Sequence, residues 1–177
     1  MNTRAILIGG IAASLVIAMW EMVVEAVIPD GAGFFGPPIA IGATLVRDLQ
    51  GASNPIPFDL AALVVGLAGH MMNSVILATA FGIVIGRRGL GTPGLLVAGI
   101  GWGVAVFGAM WFVVVPAVDP LVLNLNGVAF LAGHMMWGAA LGLLWSRFGG
   151  RGSVPVAACR MTGSLHARPG RPSPVAS

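Results

Sequence analysis

Six residues, Leu67-Ala68-Gly69-His70-Met71-Met72, recur unchanged as Leu131-Ala132-Gly133-His134-Met135-Met136, an interval of 64 positions. Each copy lies inside a long apolar run. A chain of this kind must therefore bury the same histidine twice, at equivalent depths, in segments whose composition suits hydrocarbon. An ionisable residue inside a membrane span is costly and marks a functional site by default. Other matches keep a second fixed interval of 91: Ala18-Met19-Trp20 with Ala109-Met110-Trp111, Val23-Val24 with Val114-Val115, and Ala26-Val27 with Ala117-Val118. The two intervals together predict a duplicated two-helix unit, with 27 extra residues in the first connection (91 less 64).

Hydrophobic residues make up 57% of the chain and charged residues 8%, against roughly 25% charged in soluble domains. Four apolar runs, residues 5–28, 60–85, 94–118 and 123–145, are each long enough to cross roughly 30 Å of hydrocarbon. The fold class predicted is an all-α integral membrane protein: a four-helix bundle over residues 1–148 made of two parallel helical hairpins. The first run could pass for a secretory leader, but its later counterpart makes it part of the fold. Residues 29–58 form a long connection. Within it, residues 39–49 read as a short amphipathic helix lying on the membrane surface or covering the bundle. Asp59 is placed to cap the next helix. From residue 149 the composition turns to Gly, Pro, Ser and Arg, and 149–177 reads as a disordered tail. The single cysteine, Cys159, lies there, so the chain can close no internal disulfide.

Every basic residue other than histidine is an arginine, and none lies within an apolar run. The net charge of +3 therefore reflects topology and not a nucleic-acid surface. Arg4, Arg87, Arg88 and the tail fall on one side; Asp30, Asp48, Asp59 and Asp119 face Arg47 on the other. The positive-inside rule puts both termini in the cytoplasm of a bacterial inner membrane. The lipid bilayer is the first partner implied, with a homo-oligomer or a larger membrane complex as the second.

Chemistry concentrates around the repeated motif. His70 shares a helix face with Gly66, Asn73 and Ser74; His134 shares one with Phe130, Trp137 and Gly138. Two imidazoles facing each other at one depth could be the axial ligands of a b-type haem, with Gly66 or Gly138 making room for the macrocycle. The plainer reading keeps each histidine neutral and hydrogen-bonded to a carbonyl, to Asn73 or to a carboxylate. Met71 and Met135 beside the histidines raise copper(I), although methionine is also an ordinary packing residue. Glu21 and Glu25 are the acids within a run; Glu25 is expected at a hydrated helix end, and Glu21 deeper, protonated or paired with His70 or His134. The corresponding positions of the second unit are Phe112 and Pro116. Trp145 beside Arg147 fits an interfacial aromatic belt, whereas Trp20 and Trp111 read as matched packing residues. Neither a Gly-x-Ser-x-Gly motif nor a phosphate-binding loop occurs.

The duplicated unit with Gly66-x-x-x-His70 on its second helix, and the run from Trp111 to Pro116 followed by His134 and Gly138, resembles uncharacterised four-helix bacterial inner-membrane families. The resemblance covers about residues 5–148 and departs at Phe130, where the second copy lacks the glycine. It implies a fold and a location, and no activity. The reading that follows is an accessory or interaction subunit of the inner membrane. Its alternatives are a haem b electron-transfer protein using His70 and His134, and proton- or copper-linked transport.

Overall fold

The computed structural model describes residues 2–149, whose regular elements are all helical, with no strand among them. Residues 150–177, with nearly all of the tail and Cys159, lie outside the described residues. Four helices are long and apolar enough to cross a membrane: α1 (Thr3–Val27), α3 (Leu60–Val84), the continuous Thr92–Val118, and α6 (Gly127–Phe148). The third is built from α4 (Thr92–Ala109), a π turn (Met110–Val114) and α5 (Val115–Val118). A short α2 (Gly36–Gly42) lies in the first connection.

Side-chain caps set the starts. Asn2 accepts from the Ala5 amide, and Asp59 accepts from the Ala62 amide at 2.7 Å, as expected for an N-cap. Asn126 accepts from the Val128 and Ala129 amides at 3.1 and 3.0 Å. That cap moves the start of the fourth long helix to Gly127. Residues 123–125, expected inside the span, belong instead to the connection, where Pro120–Asn124 form a 3-10 turn.

The long connection also differs from expectation. Helix begins at Gly36 and not at Ile39, because Pro37 and Pro38 supply the fixed φ that suits a first turn. It stops at Gly42, and a separate 3-10 turn covers Arg47–Gly51. α2 is not amphipathic in use: Ile39 and Ala40 are fully buried. It covers the bundle by pressing on α3. A β-carbon on Gly42 would overlap the Ala62 carbonyl, and one on Gly66 would overlap the Pro38 carbonyl.

Glycine also sets the spacing of the long helices. α4 and α6 approach main chain to main chain. A β-carbon on Gly99 would strike the Gly138 carbonyl, one on Gly103 the His134 carbonyl, and one on Gly142 the Leu95 carbonyl. α1 packs along both α3 and α6, whereas α3 and α4 scarcely approach each other. The order around the bundle is therefore α3, α1, α6, α4, with an open seam between the first and the last. Near the termini that seam is bridged by aromatic side chains. Phe81 stands edge-on to Trp102 and to Trp145, at 6.2 and 5.8 Å between ring centres. Trp145, expected at the interface, is instead buried, its indole seated on Gly82 and Gly86.

Candidate functional site

The open seam leads to a cavity of about 140 Å³. Three of the four long helices send polar groups to it. α1 contributes Glu21, α3 contributes His70, Asn73 and Ser74, and α6 contributes His134 and Trp137. The mouth, at the α2 end, is lined by Thr44 and Asp119. Apolar walls come from Ile17, Leu77, Val106, Met110 and Val114. Met110 and Val114 bracket the π turn, a local widening of the helix that recurs at functional sites.

Ser74 holds the floor together. Its hydroxyl donates to the Gly10 carbonyl at 2.7 Å and accepts from Trp137 Nε1 at 2.8 Å, so one oxygen ties α1, α3 and α6. His134 Nδ1 lies 2.8 Å from the carbonyl of Phe130, one turn earlier. A carbonyl can only accept, so Nδ1 carries the hydrogen, and Nε2 of the neutral ring is left as an acceptor. The bond expected across an interface is thus made within the helix.

Two other polar atoms at this site are buried without a partner: Glu21 Oε1 and His70 Nε2. Glu21 is only 3% exposed, and of the two states expected for it, protonated or paired with a histidine, the pairing is not formed. Its carboxylate sits over Gly133, where a β-carbon would come within 3.2 Å of Oε1. In the first copy of the motif, Gly69 also lines the cavity, and nothing lies within 4 Å of where its β-carbon would be. The same glycine is thus covered in one copy and open in the other. Such orphaned buried groups require an explanation, because an unmet polar atom in an apolar interior is costly.

Glu25 is not at a hydrated helix end. It is 3% exposed, and its carboxylate accepts from the Ala32 amide at 2.9 Å and the Asn126 amide at 2.6 Å. It serves as an anchor for the two connections. Their peptide N–H groups, left unpaired by irregular backbone, consume both of its oxygens.

Glu21, His70, Asn73, Ser74 and His134, the polar residues singled out in the sequence, all line one cavity, but Asn73, expected among the buried polar groups, is exposed. Met71 and Met135 do not. The helical step from His70 and His134 turns them away, and Met135 is exposed along with Met72 and Met136. No group of three His, Cys, Asp or Glu side chains able to hold a metal ion occurs among the described residues. The glycines expected to make room for a macrocycle are already in use, Gly66 under α2 and Gly138 under α4. The cavity compares with one of about 150 Å³ that takes a benzene, so a haem does not fit between these imidazoles in this packing.

Sequence reasoning missed the mouth. Asp119 accepts from Thr44 Oγ1 and from Gln50 Nε2, both at 2.6 Å, while Gln50 Oε1 accepts from the Leu121 amide at 3.3 Å. The Asp119-Pro120 pair reads locally as a turn, and its partners lie about seventy residues away, beyond any local pattern. Searches against protein-family models, curated proteins and solved structures give no match for this chain.

Proposed function

We propose that this chain is a multi-pass protein of the bacterial inner membrane, built from two parallel hairpin units with both termini cytoplasmic. Its role is to bind a small molecule inside the bundle, as an accessory or interaction subunit and not as a catalyst. The observation that carries this reading is the pair of unpartnered buried atoms, Glu21 Oε1 and His70 Nε2, on one cavity. A ligand that met them would remove their desolvation cost, and a ligand that binds only the folded state raises its stability by mass action.

Gly69 supplies the test. It lines the cavity, and its β-carbon direction is open, so Gly69→Leu fills the space without displacing main chain. The purified protein in micelles is screened by thermal unfolding against small polar molecules of benzene size or less. The expected result is stabilisation of the wild type by at least one compound and loss of that response in Gly69→Leu. Equal responses of the two proteins across the whole panel would overturn the reading.

A further inference from the structure

Unmet polar atoms face the cavity. Glu21 Oε1 has no partner, His134 Nε2 is an acceptor because Nδ1 is committed to Phe130, and His70 Nε2 is buried and unmet, an acceptor in the tautomer that keeps the ring hydrogen on Nδ1. The Ser74 hydroxyl is already used on both sides. Among the described residues, neither lysine nor arginine lines the cavity. Arg47, on the loop beside the mouth, spends Nη1 on the Val118 carbonyl at 3.0 Å on the exposed surface. A second carboxylate, Asp119, flanks the mouth. A narrow cleft carrying one sign of charge between low-dielectric walls concentrates ions of the other sign.

The juxtaposition points to a cation, and we propose that the cavity binds a small primary ammonium ion with a short apolar body, its N–H groups directed to Glu21 and the two imidazoles. This rests on the reading of the cavity as a small-molecule site. An ammonium group has three donors and no acceptor, which matches a floor of unmet acceptors. It would also supply the counter-charge needed for a carboxyl group so deeply buried to ionise. The apolar walls of Ile17, Leu77, Val106, Met110 and Val114 suit a short hydrocarbon body, and the volume limits it to about the size of benzene. An anion would meet Glu21 and Asp119. A neutral alcohol brings one donor where an ammonium brings three.

The test is calorimetric titration of the full chain in micelles near neutral pH with three probes. These are n-butylammonium, n-butanol of the same shape without charge, and tetramethylammonium with charge but no N–H. We expect n-butylammonium to bind at least tenfold more tightly than either of the others. Glu21→Gln, which keeps shape and removes charge, should weaken n-butylammonium by about tenfold to a hundredfold, the range for a charge-assisted hydrogen bond, and leave n-butanol unchanged. Gly69→Leu should abolish binding of both. If n-butanol binds the wild type as well as n-butylammonium, or if Glu21→Gln leaves the amine affinity intact, the ammonium assignment fails while the small-molecule site stands. If no probe binds, the ammonium assignment also fails, as it would for a Glu21 that holds only a proton; the site itself is then judged by the wider thermal screen. Should Glu21→Gln not fold, the ratio of amine to alcohol affinity in the wild type decides alone.

Discussion

Trp137 Nε1 donates to Ser74 Oγ at 2.8 Å, joining two long helices that are 63 residues apart in the chain. Because Ser74 hands the bond on to the Gly10 carbonyl, its removal strands the Trp137 donor in the floor of the cavity and takes away the tie to α1. Ser74→Ala should lower stability by about 1 to 2 kcal/mol, the range for hydrogen bonds between membrane helices. Ser74→Cys, a weaker donor and acceptor, should fall between. Thermal or steric-trap unfolding in micelles measures the difference. Equal stability of wild type and Ser74→Ala would show that this oxygen ties nothing.

Gly138→Ala should be far more harmful than Gly69→Ala. The first places a methyl group on the Gly99 carbonyl, which is main chain and cannot turn aside; the second meets nothing within 4 Å. Overpacking of this kind costs about 1–3 kcal/mol, whereas Gly69→Ala should be neutral or slightly stabilising through helix propensity. Comparing the unfolding of the two variants checks the ordering.

Glu25→Ala should cost about 1–3 kcal/mol, since it strands the buried Ala32 amide and the part-buried Asn126 amide together. Glu25→Gln keeps one carbonyl oxygen and should recover part of the loss. Hydrogen exchange at the Ala32 and Asn126 amides reports it directly: both should exchange faster in Glu25→Ala.

Asp119→Ala should loosen the connection around Arg47–Gly51 without unfolding the long helices. Both of its oxygens are spent on Thr44 and Gln50, and no other side-chain bond holds Gln50 except that to the Leu121 amide. Faster proteolysis within residues 45–54 with unchanged helical circular dichroism is the expected result. Protection equal to wild type would show that the latch is dispensable.

Orientation is testable with one thiol. In a Cys159→Ser background, Leu90→Cys should resist a membrane-impermeant maleimide in intact cells and react after permeabilisation. Labelling from outside would reverse the proposed topology.

Much of this arrangement was legible in the sequence because the signals are periodic. Apolar runs of sufficient length, Asp59 before one of them, and His70, Asn73 and Ser74 at helical spacing suffice to predict four long helices and a polar floor. What was not legible depends on separation in space. Nothing near Glu25 announces that two distant peptide N–H groups will claim it. Gly66 and Gly138 read equally well as room for a ligand or as room for a neighbouring helix, and only the packing distinguishes the two. Trp145 has the composition of an interfacial anchor, yet Gly82 and Gly86 open a slot that buries it.

The close seam between α4 and α6 bears on how the protein is made. α4 has one extensive long-helix neighbour, and that neighbour, α6, is the last of the described helices to be synthesised. Until Gly127–Phe148 emerges, the glycine face of α4 has nothing to meet, and α1 with α3 forms only half of the assembly. The final helix closes two contacts at once, one with α1 and one with α4. A chain cut after Asn126 should therefore be recognised as unfinished by membrane quality-control proteases.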